Sequence, residues 1–139
     1  MIRQATSKDA VAIRRLMESV PGFWQPQWSD DTLAHAIRAA EGLAFVWCED
    51  AAIYGFACGH DLGFRAYLSE LVVAAHLRRQ GIARQLLEHL ESELTVRGRT
   101  VLIADVWRDA VPFYESLGWG PPDVVLLRRR LAASQPNSG

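Results

Sequence analysis

The sequence has few cysteines, almost no net charge and no long apolar run, and each shortage argues against a class of protein. Two cysteines, Cys48 and Cys58, are fewer than a small secreted domain needs for a disulfide framework, and their spacing fits no zinc motif. A formal net charge of −1 supplies no overall field that would attract nucleic acid or an anionic membrane. No apolar stretch reaches membrane-spanning length, and the N-terminus lacks the apolar core of a signal peptide.

What is present suits one folded domain. Half of the 139 residues are hydrophobic, which is enough to bury a core. We therefore expect a single domain over residues 1–131, a flexible tail over 132–139, and a cytoplasmic protein without a metal. No internal repeat and no linker divides the chain.

The spacing of apolar residues predicts the element order β-α-α-β-β-β-α-β-α-β. Strands are predicted at 2–5, 43–48, 52–60, 66–74, 101–106 and 124–131. The strand at 101–106 is expected to be buried. A long amphipathic helix is predicted at about 80–97, because apolar residues recur there every three or four positions. This order predicts an α/β (α+β) fold, with a mixed sheet and helices on both faces.

Residues 69–90 hold the most informative pattern in the chain. An apolar strand leads directly into the basic, glycine-bearing turn at 78–83, and that turn opens the long helix. Unpaired backbone N–H groups and the helix dipole make such an N-terminus suited to an anionic phosphate. The strand also supplies a carboxylate, Glu70, close to where the ligand would lie.

Two segments make the chain resemble the GNAT superfamily of acyl-CoA-dependent N-acyltransferases. The family's Arg/Gln-x-x-Gly-x-Gly/Ala motif at the central helix is matched by Arg78, Gly81 and Ala83. Its later Ala-x-x-Phe/Leu-Tyr-x-x-x-Gly-Phe/Trp segment is matched by Ala110, Phe113, Tyr114, Gly118 and Trp119. Many members have Asn where this chain has Trp107. The resemblance runs from Ile2 to about Leu131, and it implies a mostly antiparallel sheet whose central strands splay apart.

The resemblance implies acetyl-CoA as the cosubstrate. The pantetheine arm would lie along the splayed strand, with the Val73 N–H as a candidate donor to the thioester oxygen, and the basic turn would hold the pyrophosphate. The cofactor-binding residues implied in this way are Leu71, Val72, Val73, Arg78, Arg79, Gln80, Gly81, Ile82, Ala83 and Arg84.

Two side chains are candidate catalytic residues by the same resemblance. Tyr114 would protonate the departing thiolate; the alternative is a packed aromatic whose hydroxyl meets solvent. Glu70 would act as general base on the amine, directly or through water; the alternative is a salt bridge at the sheet surface. Asp105 and His60 are weaker candidates for the base.

Acceptor recognition is expected from the less regular parts of the chain. The candidate substrate-binding residues are Phe23, Trp24, Trp28, His60 and Asp105, and for the aromatic loop the alternative is packing onto the sheet edge. The expected reaction is acetyl transfer to a primary amine of a small molecule, by direct attack in a ternary complex. A protein N-terminal or lysine acetyltransferase and a non-catalytic acyl-CoA-binding regulatory module remain open, as does a homodimer.

Overall fold

A computed structural model describes residues 1–132, in which a five-stranded sheet carries helices on both faces. Strands β1 to β5 cover Ile2–Gln4, Ala44–Glu49, Ala52–Asp61, Ala66–Val73 and Leu102–Ile103. Helices α1 to α4 cover Ala10–Glu18, Asp30–Ala39, Ile82–Val96 and Val111–Ser116. Short 3₁₀ turns lie at Ser7–Asp9, Ala75–Leu77 and Arg108–Ala110. The tail expected over 132–139 lies outside the described residues from residue 133 onward.

The strands follow one another across the sheet in chain order. Neighbouring strands are antiparallel except β4 and β5, which are parallel and are joined through α3. This arrangement confirms the mixed sheet that the element order predicts and the mostly antiparallel pairing that the resemblance implies.

The two faces of the sheet are covered by different helices. On one face, α3 approaches β3 closely over Gly59, where a Cβ atom would lie 2.8 Å from Leu90 Cδ1. On the other face, Cys58 Sγ lies 3.9 Å from the Ala36 carbonyl oxygen of α2. Because successive residues of a strand point to opposite faces, glycine at one position and cysteine at the next let both helices pack on β3.

Polar side chains hold the starts of the first two helices. The Thr6 N–H donates to Asp9 Oδ2 at 2.9 Å, which starts the turn before α1. The Ser29 hydroxyl accepts from the Thr32 N–H at 3.2 Å and caps α2. The long α3 ends at Val96, and Gly98 follows in a left-handed conformation with φ 82°.

The described chain forms two compact units, Met1–Ala104 and the segment from Asp105 onward. The expectation of one domain over 1–131 stays a prediction. No helix in the described part of the chain has the length and apolar character that crossing a membrane requires.

Two of the predicted strands are wrong in whole or in part. The buried strand expected at 101–106 is reduced to the two residues of β5, and Val101 before it is 49% exposed. Residues 124–131 form no strand, and Val125 is 81% exposed. Apolar runs become buried strands only when a neighbour pairs with them, and within residues 1–132 no ladder includes 124–131.

Candidate functional site

The end of β4 extends past its partner β5 and leaves one side of the strand open for pairing. The register between them covers only two pairs, Ala66 with Leu102 and Tyr67 with Ile103, whereas β4 continues to Val73. This geometry agrees with the splay that the family resemblance implies.

Backbone hydrogen bonding fixes which groups of β4 face that open side. The Ala74 N–H donates to the Tyr54 carbonyl of β3 at 2.8 Å. Since the hydrogen-bonding direction alternates along an antiparallel strand, the N–H and C=O groups of Leu71 and Val73 point away from β3. The Val72 backbone points towards its partner Phe56 instead. Of the three positions expected to offer backbone to an extended ligand, Leu71 and Val73 therefore do so.

The loop between β4 and α3 has the backbone shape of an anion site. Arg79 and Gly81 both have left-handed conformations, with φ values of 66° and 77°, and α3 begins at Ile82. The first intrahelical bond runs from the Gln85 N–H to the Gly81 carbonyl at 3.0 Å. The N–H groups of the residues between them have no partner within the helix and point along its axis.

The left-handed conformation of Arg79 is unfavourable for a residue with a side chain. Such a conformation costs of order 1–3 kcal/mol and persists where surrounding structure imposes it. Gly81 avoids this strain, and a Cβ atom there would meet nothing closer than Gln85 Nε2 at 3.8 Å. Glycine at 81 is therefore required by the backbone angle rather than by lack of space.

Three arginines surround this loop, and they differ in their partners. Arg78 and Arg79 are exposed, and no residue within 1–132 gives either side chain a hydrogen bond or ion pair. Arg84 Nε instead contacts Glu88 Oε1 at 2.9 Å, in an exposed ion pair worth a few tenths of a kcal/mol. Positive charge at a helix N-terminus opposes the dipole, so a bound anion would relieve an unfavourable arrangement at this end of α3.

The remaining residues of the loop contribute in other ways. Ile82 is buried and anchors α3 in the core, so only its backbone can serve a ligand. Gln80 is exposed and Ala83 is half-buried beside it. A small side chain at 83 leaves the approach to the helix N-terminus open.

Glu70 belongs to a cluster on the face of the sheet that carries α2. It is half-buried on β4 and pairs directly with Cys58 on β3. Cys58 Sγ lies 3.7 Å from His60 Nε2, and the Ser69 hydroxyl donates to the Cys58 carbonyl at 3.1 Å. Burial raises the pKa of the Cys58 thiol to about 11, and the negative charge of Glu70 acts in the same direction.

Cys58 is the member of this cluster that sequence reasoning missed. The sequence shows it only as a small strand residue, although its place two residues before His60 puts both on one face. Its pairing with Glu70 depends on the register of β3 and β4, which no local pattern reveals.

The aromatic loop between α1 and α2 is held by its own contacts. Trp24 and Trp28 meet edge to face with ring centroids 5.5 Å apart, and the Arg14 guanidinium lies 4.7 Å from the Trp24 ring centroid. Gln25 Nε2 donates to the Phe23 carbonyl at 3.2 Å. The loop leads into α2, the helix that packs on the Cys58 face of the sheet.

The second compact unit contains the other predicted site residues. Tyr114 on α4 packs edge to face with Phe113 and Trp119, at centroid distances of 5.2 and 5.3 Å. Burial raises the pKa of Tyr114 to about 12, so its phenol is a neutral hydrogen-bond donor at neutral pH. Asp105 is exposed and lies outside β5, although the strand predicted at 101–106 would include it.

Trp107, at the position where many family members have Asn, begins the turn that leads into α4. Its carbonyl accepts from the Ala110 N–H at 2.9 Å, and its side chain is 55% exposed. The backbone of the turn therefore forms with Trp at this position. Within residues 1–132, no three His, Cys, Asp or Glu side chains come together in a way that could hold a metal ion.

Comparison with known proteins identifies the family. A sequence model of the acetyltransferase (GNAT) family matches residues 11–119, and the chain belongs to that family. The ribosomal protein bS18-alanine N-acetyltransferase of Escherichia coli strain K12 is 34% identical over 95 residues, which cover 66% of this chain and 64% of that protein. The chain thus spans slightly less than two thirds of this curated relative.

Solved structures agree with the family assignment. The crystal structure of the ribosomal-protein-S18-alanine N-acetyltransferase from Escherichia coli superposes with a TM-score of 0.74 at 30% identity, covering 85% of this chain and 76% of that one. The PaiA N-acetyltransferase from Thermoplasma acidophilum, crystallised in complex with coenzyme A, gives a TM-score of 0.77 at 17% identity, covering 90% and 92%. The second likeness establishes the fold alone.

Proposed function

We propose that the chain is an acetyl-CoA-dependent N-acetyltransferase whose acceptor is the N-terminal α-amine of a protein. The observation that carries this proposal is the pairing of the open β4 edge with the basic loop at the start of α3. An extended strand edge followed by a helix N-terminus suits a ligand with an amide-bearing arm and a pyrophosphate. Coenzyme A has both.

The first compact unit offers each part of acetyl-CoA a matching group. Leu71 and Val73 direct backbone groups to the pantetheine amides, and the Val73 N–H is placed to polarise the thioester carbonyl. The free N–H groups at the start of α3 and the unpartnered Arg78 and Arg79 side chains hold the pyrophosphate. Arg84 joins them once the anion replaces its exposed ion pair with Glu88.

In this proposal, one side chain accepts a proton and another donates a hydrogen bond during acetyl transfer. Glu70 takes a proton from the acceptor ammonium, directly or through water, because only the neutral amine is a nucleophile. Tyr114 donates a hydrogen bond to the leaving sulfur. With its pKa near 12, the phenol is a weaker acid than a thiol by about three pKa units, so it stabilises the thiolate mainly by hydrogen bonding.

The relatives favour a protein acceptor over the small-molecule amine expected from the sequence. Both the curated relative and the crystal structure at 30% identity are N-acetyltransferases of a ribosomal protein alanine. The ordered aromatic loop with Phe23, Trp24 and Trp28 supplies apolar surface for the residues that follow an N-terminal amine. His60 and Asp105 stay candidate acceptor contacts.

Thiol release from acetyl-CoA, measured with three acceptors, tests the proposal. The acceptors are a peptide with a free N-terminal alanine, the same peptide with a blocked N-terminus and an internal lysine, and a polyamine. We expect turnover with the first peptide alone. Turnover with the polyamine would restore the small-molecule interpretation, and turnover with the blocked peptide would indicate a lysine acetyltransferase.

A non-catalytic acyl-CoA-binding module is the second candidate, and Trp107 at the usual Asn position is the observation that favours it. It predicts acetyl-CoA binding with no thiol release for any acceptor. The carboxylate of Glu70 argues against it, since a binding module needs no general base. The homodimer and the cytoplasmic location stay predictions.

A further inference from the structure

Cys58 lies in the cluster around Glu70 but has no part in the proposed reaction. Its thiol lies 3.7 Å from His60 Nε2, and its backbone pairs with that of Glu70. Residues directly opposite each other in an antiparallel pair have Cβ atoms about 4.5–5.5 Å apart. The thiol therefore adjoins both the carboxylate and the imidazole on one face of the sheet.

The surroundings of Cys58 hold it rigidly. Its side chain is fully buried, and its Sγ also lies 3.9 Å from the Ala36 carbonyl of α2. The strand register shifts between Cys58 and Gly59, and the Ser69 hydroxyl bonds the Cys58 carbonyl. A thiol fixed in this way restricts the orientation of the imidazole through Nε2 and leaves Nδ1 for another partner.

The spacing along β4 shows why a second proton carrier is useful. Val73 lies three residues beyond Glu70, which is about 10 Å at the rise of a β-strand. A proton taken from an amine near Val73 therefore passes through water to the half-buried Glu70 carboxylate, and it must then leave that carboxylate for solvent. His60 is half-buried near the end of β3.

We infer that His60 relays the proton from Glu70 to solvent, and that Cys58 is a positioning residue that holds the imidazole for this transfer. The inference rests on the proposed acetyltransferase function. The acceptor ammonium gives one proton to the Glu70 carboxylate, the carboxylic acid gives it to the imidazole, and the imidazolium gives it to water. One proton leaves for each amine acetylated, which is the net release of the overall reaction. Imidazole suits this step because its ring nitrogens can both accept and donate a proton.

Thiol release by the full chain, with acetyl-CoA and the free-alanine peptide, tests the relay. We expect His60→Ala to lower kcat about tenfold, less than the loss of a general base would, because Glu70 remains. Loss of an acceptor contact would instead raise the peptide KM and leave kcat unchanged. Added free imidazole should restore most of the lost kcat.

Cys58→Ala should lower kcat by about threefold, a fraction of the loss in His60→Ala, because the imidazole itself remains. Cys58→Ser should restore the wild-type kcat. His35→Ala, on the exposed side of α2, is the matched control. It should keep the wild-type kcat both with and without added imidazole.

Two results would overturn the relay alone. One is an unchanged kcat in His60→Ala. The other is a reduced kcat that imidazole does not restore although the variant unfolds at the wild-type temperature. Absence of turnover by the wild-type protein with every acceptor would instead overturn the proposed function, and the relay with it.

Discussion

At the scale of single residues, burial in the fold raises the pKa values of Cys58 and Tyr114 by the largest amounts. The pKa of Cys58 rises from 9.0 to about 11 and that of Tyr114 from 10.0 to about 12. Both groups are therefore protonated at neutral pH. Their residue types and positions are visible in the sequence, but their shifted acidities depend on which helices and strands cover them.

The raised pKa of the buried Cys58 thiol predicts a loss of stability at alkaline pH. A group whose pKa is raised in the folded state contributes its full stabilisation below the unfolded pKa and loses it as pH rises through the folded value. The free energy of unfolding should therefore fall between about pH 9 and pH 11, by up to about 3 kcal/mol for two pKa units. Denaturant unfolding of the wild type and Cys58→Ala across this range measures it. An equally steep decline in Cys58→Ala would contradict the assignment.

Tyr114→Phe tests the hydrogen bond to the leaving sulfur. We expect kcat to fall about 10- to 100-fold, because a hydrogen bond to a charged group contributes about 1.5–3 kcal/mol. The affinity for acetyl-CoA should stay within about twofold, since the aromatic packing with Phe113 and Trp119 is kept. Steady-state kinetics and direct titration of the same preparation separate the two effects. Full activity would mean that water or another group, rather than Tyr114, donates the hydrogen bond to the thiolate.

At the scale of elements, sequence patterns identified the structures that form through local interactions. The apolar stripe of α3 and the neighbouring strands β2 and β3 appear as predicted. The caps at Thr6 and Ser29 likewise form between residues three positions apart. The glycine-bearing turn at 78–83 also lies between a strand and a helix, as its residues indicate. Each of these depends on contacts between residues near in sequence.

The strands at 101–106 and 124–131 show where local patterns fail. Both segments are rich in valine, leucine and isoleucine, which favour strands. A strand also needs a partner, and β5 pairs with β4 over two residues only. The apolar composition of a segment does not determine how many of its residues pair with a neighbouring strand.

A substitution at Gly81 tests the anion site in the loop at the start of α3. Gly81→Glu should weaken acetyl-CoA binding at least about a hundredfold, since it adds a negative charge where the pyrophosphate lies and strains a left-handed residue. Gly81→Ala is the matched control, because it introduces the strain without the charge and has room for its Cβ atom. It should lose about tenfold or less. Calorimetric titration compares the two, and equal affinity of Gly81→Glu and wild type would contradict the phosphate-loop assignment.

At the scale of the whole molecule, the candidate site in the first unit depends on strand order and register. The open edge of β4 exists because β5 ends early, and Glu70 meets Cys58 because of the β3–β4 register. The family resemblance in the sequence located the loop and the splayed strand. It did not reveal that the backbone groups of Val72 point towards β3 or that Cys58 lies beside Glu70. Both features depend on pairing between residues that are distant in sequence.

The most direct test of the central claim is calorimetric titration of the full chain with acetyl-CoA. We expect one acetyl-CoA to bind per chain, with a dissociation constant between about 1 μM and 1 mM, the range in which the KM values of enzymes usually lie. Absence of binding at millimolar acetyl-CoA would contradict it, because the open β4 edge and the basic loop would then have no cofactor to hold.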